Sequence, residues 1–141
     1  MKYVINESGH RKWMSTLLML LLLVMAFPAF AGGDKPHATV AKSTYDFGMV
    51  KEDGGPVSCE FTINNDGKGN LVVIDAKADC GCTRPEFPQA PIAPGKSGKV
   101  KVTYNPLGRP GSFEKVVTLK TNGSTSKIRL KIRGTVTPRN K

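Results

Sequence analysis

From residue 39 onward, apolar and polar side chains alternate almost one by one. In residues 57–64, Val57, Cys59, Phe61 and Ile63 fall on one face and Ser58, Glu60 and Thr62 on the other. Successive side chains of an extended strand point to opposite faces, so this pattern marks a strand with one side in a core and the other in water. The alternation returns in residues 99–104, with Val100, Val102 and Tyr104 inward, and in residues 126–136, with Ile128, Leu130 and Ile132 inward. Residues 39–50, 71–78 and 113–121 read as further strands, and no stretch keeps a helical period over three turns. Short strands spaced by turn residues predict an all-β sandwich or barrel.

The turns are written in their own residues. Asn65, Asp66, Gly67, Lys68, Gly69 and Asn70 form a cluster of types that tolerate left-handed backbone. Pro85, Pro88, Pro91 and Pro94 punctuate residues 85–94. Proline cannot donate to a ladder, so this segment is a crossing loop or a sheet edge. Thr121-Asn122-Gly123-Ser124 joins two alternating runs, and Asn-Gly in that setting is a hairpin signal. Asn122-Gly123-Ser124 also matches a glycosylation sequon, but reads first as a turn.

The N-terminal segment follows different rules. His10, Arg11 and Lys12 precede an unbroken apolar run over residues 17–27, then Pro28 and Ala29-Phe30-Ala31. A basic start, a short apolar stretch and small residues before a cut describe a secretory signal peptide over residues 1–31, cleaved after Ala31. The run is shorter than the about 20 residues of a membrane span. Extending it from Trp13 to Ala31 takes in Ser15, Thr16 and Pro28. Residues 32–38 then form a flexible leader, and residues 39–137 make one domain, close to the about 100 residues of a single β-sandwich.

The formal net charge is +10. Only Lys2, Arg11 and Lys12, against Glu7, fall in the first 31 residues, so most of it belongs to the domain. Lys127, Arg129, Lys131 and Arg133 share the outward face of one strand, and Lys99 and Lys101 that of another. Such faces suit an anionic polymer or membrane surface, or serve as a solvated face that discourages edge-to-edge pairing. Export removes nucleic acid as a partner and places the chain in a periplasmic or secreted, oxidising setting where cysteines pair.

The order of several short motifs resembles the DUF1573 family, within the broader ASPM/SPD-2/Hydin-type immunoglobulin-like domains. The matching pieces are Asp46-Phe47-Gly48 with Val50, Phe61-Thr62-Ile63-Asn64-Asn65, Cys80-Gly81-Cys82-Thr83 and Ile92-Ala93-Pro94-Gly95-Lys96-Ser97-Gly98. Tyr104-Asn105-Pro106, Gly111-Ser112-Phe113 and Ile132-Arg133-Gly134-Thr135-Val136 complete them. The resemblance implies an immunoglobulin-like, seven-stranded β-sandwich of the bacterial envelope or exterior, with no established enzymatic activity. Cys59 is not part of the family's usual pattern.

Little in the chain points to catalysis. Asp46-Phe47-Gly48 lacks every companion of a kinase site, and Phe47 reads as core. His10 lies in the signal peptide, which leaves His37, in the leader, as the remaining histidine. Asp75, Asp79 and Glu86 are carboxylates with nothing to argue for a shared cleft. Cys80-Gly81-Cys82 is the one chemically suggestive turn. Its thiols offer two soft ligands for Cu(I) or a thiol-exchange pair, with Arg84 nearby to favour thiolate. The chain has 3 cysteines, so one is left over from any disulfide. A Cys80–Cys82 bridge must meet narrow geometric limits, whereas Cys59 with Cys80 or Cys82 is within reach and would close a longer loop.

The expectation is therefore a non-catalytic binding or scaffolding module without cofactor or bound metal. Its partner would be a protein or an envelope polymer, met at the Cys80–Cys82 turn and the adjacent loop of residues 85–94. The alternative is a thiol-redox or Cu(I)-handling protein using Cys80 and Cys82.

Overall fold

The computed structural model describes residues 33–140; the signal peptide expected over residues 1–31 lies outside them. The described chain forms eight strands: β1 (Ala38–Thr39), β2 (Thr44–Lys51), β3 (Val57–Asn65), β4 (Val73–Ala78), β5 (Thr83–Glu86), β6 (Ser97–Tyr104), β7 (Gly111–Thr121) and β8 (Lys127–Thr137). They make two four-stranded sheets, ordered β1-β3-β6-β5 and β2-β8-β7-β4. The alternating inner faces meet in one core of Phe61, Ile63, Leu71, Val100, Val102, Tyr104, Val117, Leu119, Leu130 and Ile132, all nearly solvent-free. The fold is thus an all-β, immunoglobulin-like sandwich.

Eight strands form where the resemblance implied seven: the first of the six alternating runs is two strands, and β5 adds an edge strand. Ala38 and Thr39 pair antiparallel with β3 in one sheet, while β2 pairs parallel with β8 in the other. The chain changes sheets across residues 40–43, where Lys42 and Ser43 are exposed and the Lys131 N–H donates to the Ser43 carbonyl at 2.8 Å. A bulge interrupts β2 between Asp46 and Met49. Gly48 occupies it at a φ of 65°, with its N–H donating to Asp46 Oδ1 at 2.8 Å. That conformation suits glycine, which has no Cβ to collide with its own carbonyl.

The expected leader of residues 32–38 is tied down. Ala38 is buried, and the Lys68 and Asp66 N–H groups donate to the Lys35 and His37 carbonyls. The glycines of the 65–70 cluster are there for this contact. Neither Gly67 nor Gly69 has a positive φ, but a Cβ on Gly67 would collide with the backbone of His37, and one on Gly69 with the Asp34 carbonyl.

The β7–β8 hairpin is also wider than a two-residue Asn-Gly turn. Gly123 is not left-handed; Thr121 Oγ1 shapes the connection by donating to the Thr125 carbonyl at 2.7 Å and accepting from the Gly123 N–H. Both ends of the Asn122 amide are engaged, Oδ1 by the Val72 N–H and Nδ2 by the Asn70 carbonyl. Leu71, expected in a strand, forms a lone bridge with Ile92.

Pro85 sits in β5, which is an edge strand pairing with β6 alone. The basic faces are separate. Lys99 and Lys101 lie on β6 of one sheet and the β8 residues on the other. β8 is flanked by β2 and β7, so its lysines guard no edge. Lys131 and Arg133 pair with Glu114 and Asp46 at 2.9 Å, and Lys99 with Glu60 at 2.8 Å, as on a solvated face. Among the described residues no helix is long and apolar enough to cross a membrane.

Candidate functional site at the sheet-crossing turn

β4 belongs to one sheet and β5 to the other, so the segment between them must cross the sandwich at one end. That segment contains Cys80-Gly81-Cys82. The ends of β6 and β8 and the starts of β3 and β7 lie at the same end, as the registers Val57↔Tyr104, Thr83↔Tyr104 and Gly111↔Val136 require.

The crossing is pinned to both sheets. The Asp79 N–H donates to the Val116 carbonyl, and the Val116 N–H to Asp79 Oδ2, both at 3.1 Å. On the other side the Asn105 N–H donates to the Cys82 carbonyl at 2.9 Å, and within the turn the Thr83 N–H donates to the Cys80 carbonyl at 3.1 Å. The turn brings the two cysteine Cα atoms to 5.2 Å, and Cys80 and Cys82 form a disulfide. That separation lies inside the range a disulfide spans. The expected pairing of Cys59 with Cys80 or Cys82 is not formed. Cys59 is an unpaired, buried thiol on the inner face of β3, and burial pushes its pKa up to about 11. The disulfide closes a very short loop, contributing about 1.6 kcal/mol in the chain-entropy model, against about 3.4 for a loop reaching Cys59.

The two sulfurs are in different surroundings. Cys82 is 6% exposed, and its Sγ lies 3.7 Å from Thr83 Oγ1. Cys80 is half-buried, and its Sγ accepts the Cys82 N–H at 3.1 Å. Both line a concavity of about 620 Å³ together with Tyr104, Arg109, Phe113 and Lys115. Its floor is aromatic: the Tyr104 and Phe113 rings stack with centroids 4.0 Å apart. Burial raises the Tyr104 pKa, and the Arg109 charge partly offsets this. A second concavity of about 650 Å³ adjoins it, sharing Ser112, Phe113 and Glu114 and reaching Met49 and Arg133.

Several residues singled out in the sequence are not brought here. Arg84, opposite Thr103, is exposed on β5; Arg109 and Lys115, distant in sequence, are the cations that share the concavity's lining with the cysteines. The loop of residues 85–94 leaves in the other direction. Pro88 and Ile92 pack over Gly98, at the far end of β6 from Tyr104. Eight strand residues separate these ends by about 23 Å, so the turn and that loop do not form one surface. His37 also sits at the far end, with Nδ1 2.6 Å from Asp66 Oδ1. Asp75 caps the Ala76 N–H, Asp79 holds Val116, and Glu86 lies in the opposite sheet, so these carboxylates do not converge. Among the described residues no three His, Cys, Asp or Glu side chains are grouped to hold a metal ion.

The family model described as "Protein of unknown function (DUF1573)" matches residues 38–136. No curated protein matches by sequence. Among solved structures, a protein of unknown function from Porphyromonas gingivalis W83 is similar with a TM-score of 0.64 at 18% identity, over 78% of this chain and 51% of that one. This chain therefore spans about half that protein's length. The ASH/PapD-like domain 7 of human CEP192 is similar with a TM-score of 0.57 at 12% identity, over 81% of this chain and 94% of that one. The secreted serine protease VesC of Vibrio cholerae is similar with a TM-score of 0.53 at 13% identity, over 70% of this chain and 23% of that one. At these identities the likeness is one of fold.

Proposed function

The chain belongs to the DUF1573 family, and on that premise we propose that it is an exported, non-catalytic binding module of the bacterial envelope or exterior, taking a protein or an envelope polymer at the sheet-crossing end of its sandwich. The observation that carries the reading is the concavity over the Tyr104–Phe113 stack. It sets the half-buried Phe113 ring, backed by the buried Tyr104, beside Arg109 and Lys115, and Leu107, in the same β6–β7 connection as Arg109, is 57% exposed. Aromatic and arginine side chains on loops held by a rigid scaffold are the usual anchors of recognition. Folds of the PapD-like kind also occur in the ASH domain of human CEP192, which fits an interaction role without naming a partner. Separation of the carboxylates and of His37 supports a role without catalysis.

Residues 1–31 supply the argument for export, and a disulfide suits an oxidising compartment. N-terminal sequencing of the released protein should begin at Gly32.

Capture is tested by immobilising the full chain and passing over it separate envelope protein and polymer fractions. The variant Leu107→Ser/Arg109→Ser should lose most of the capture, about tenfold or more if these are anchors. A control variant in the loop of residues 87–96 should retain it. Capture that ignores the first variant and falls with the second rejects this surface.

A further inference from the structure

We infer that the Cys80–Cys82 bond is an exchangeable disulfide, with Cys80 Sγ the sulfur attacked from the concavity and Cys82 Sγ the sulfur that leaves and later closes the bond again. Three observations carry this, and none depends on whether the concavity captures a partner.

The first is asymmetry. Thiol–disulfide exchange requires one sulfur open to an incoming thiolate, and access decides which sulfur reacts. Both cysteines line the concavity of about 620 Å³, but Cys80 is half-buried while Cys82 is only 6% exposed. The second is stabilisation of Cys80 as a thiolate. The Cys82 N–H already points at Cys80 Sγ from 3.1 Å, and Arg109 and Lys115 outnumber Glu114 in the lining. Hydrogen-bond donors and cations favour the charged sulfur. Thr83 Oγ1, 3.7 Å from Cys82 Sγ, can turn its hydroxyl toward the departing sulfur. The third is that the turn does not need the bond. Asp79, Cys80, Cys82 and Val116 are held by backbone bonds to β7, to Asn105 and within the turn, so the cysteines remain positioned after reduction.

The reductant is a dithiol, whether a small molecule or a protein. One of its thiolates attacks Cys80 Sγ, forming a mixed disulfide while the Cys80–Cys82 bond breaks. Cys82 leaves as a thiolate and takes a proton from solvent. The second thiol of the reductant then attacks its own sulfur in the mixed disulfide and expels Cys80 as a thiolate. Two electrons pass from the dithiol, which becomes a disulfide, to the cysteine pair, which becomes a dithiol. In reverse, an oxidised partner is attacked by Cys80 and released by Cys82. Each event is stoichiometric, so a module without turnover can perform it.

The test treats the folded full chain with graded dithiothreitol without denaturant, follows the fold by circular dichroism, quenches with acid, removes the reductant in acid, alkylates the chain in denaturant and reads the intact mass. Low-millimolar dithiothreitol should raise the labels from one, on Cys59, to three, the two new ones located to Cys80 and Cys82, while the fold is retained. One label at every concentration that leaves the chain folded, or new labels only as the fold is lost, overturns the inference. A second arm uses oxidised glutathione on Cys82→Ser and Cys80→Ser, each combined with Cys59→Ser and checked for a cooperative melt. Glutathione should attach to Cys80 about tenfold or more faster than to Cys82; equal rates, or a faster Cys82, overturn the assigned roles. If either variant fails to fold, the first arm on the unmodified chain still decides whether the bond exchanges.

Discussion

Replacing Asn65 with leucine should remove a large share of the protein's stability. Asn65 ends β3 and is 1% exposed. Its Nδ2 donates to the Gly69 and Ile92 carbonyls, both at 2.8 Å, and its Oδ1 accepts the Gly67 N–H at 3.1 Å and the His37 N–H at 3.4 Å. One amide thus holds the β3–β4 connection, the segment before β1 and the Ile92 bridge. Each of the three shorter bonds contributes about 1 kcal/mol net. The carbonyl of Ile92 keeps the Leu71 N–H, and Gly69 is only half-buried, so neither oxygen is wholly stranded. That places the loss at about 3 kcal/mol rather than higher. A domain of this size has about 5–15 kcal/mol in total. Urea unfolding followed by circular dichroism should show the midpoint falling with an unchanged slope. Asn65→Asp adds a second reading. It puts a carboxylate against two carbonyl oxygens in a buried site, which raises its folded pKa above the unfolded value. The folded state then holds more protons, so this variant's deficit grows as pH rises from acid to neutral. A leucine variant within about 0.5 kcal/mol of the parent would refute the account of Asn65 as the tie between these segments.

Two other expectations concern the same architecture. Gly67→Ala should cost about 1–3 kcal/mol in the same urea experiment, because its Cβ meets the His37 backbone and not a side chain that can swing away. Asp46→Ala should lower Tm by only about 2 °C at neutral pH, since its pair with Arg133 is exposed. The Asp46 carboxyl is held below its ordinary 3.8, first by the Gly48 N–H and then by Arg133. The folded pKa is the lower one, so the contribution is present above 3.8 and vanishes as pH falls through the folded value. Melts of parent and variant should therefore converge at strongly acid pH.

Alternation in the sequence specifies faces but not partners. Cys59, Phe61 and Ile63, Val100, Val102 and Tyr104, and Ile128, Leu130 and Ile132 are all buried, as their spacing requires. The period of two carries no information on which strand lies beside which. The parallel pairing of β2 with β8, and the division of residues 39–50 between two sheets, rest on contacts far apart along the chain. Local chemistry misled in a similar way at the cysteines. Loop length argues for a bridge to Cys59, but the turn that crosses between sheets folds Cys80 and Cys82 to 5.2 Å, and proximity decides the pairing. Arg84 is near Cys82 in sequence, but it is Arg109 that shares the concavity's lining with it. Asn65 looked like a turn former because Asn is common in turns; its amide works as a four-way connector only because residues 34–37 and Ile92 arrive beside it.

The placement of the disulfide bears on both functional readings at once. A bridge whose main purpose was stability would close a long loop, and this one does not. It sits where the chain passes between sheets, in a turn already fixed by backbone bonds, and both of its cysteines line the concavity assigned to capture, Cys80 the more exposed of the two. A partner seated over Tyr104 and Phe113 covers Cys80, so capture and exchange cannot be independent. A partner that prefers the oxidised chain must make the bond harder to reduce, by the same factor that reduction weakens its own binding. A factor of one in both measurements would mean that partner and reductant act independently, and that the concavity carries only one of the two roles.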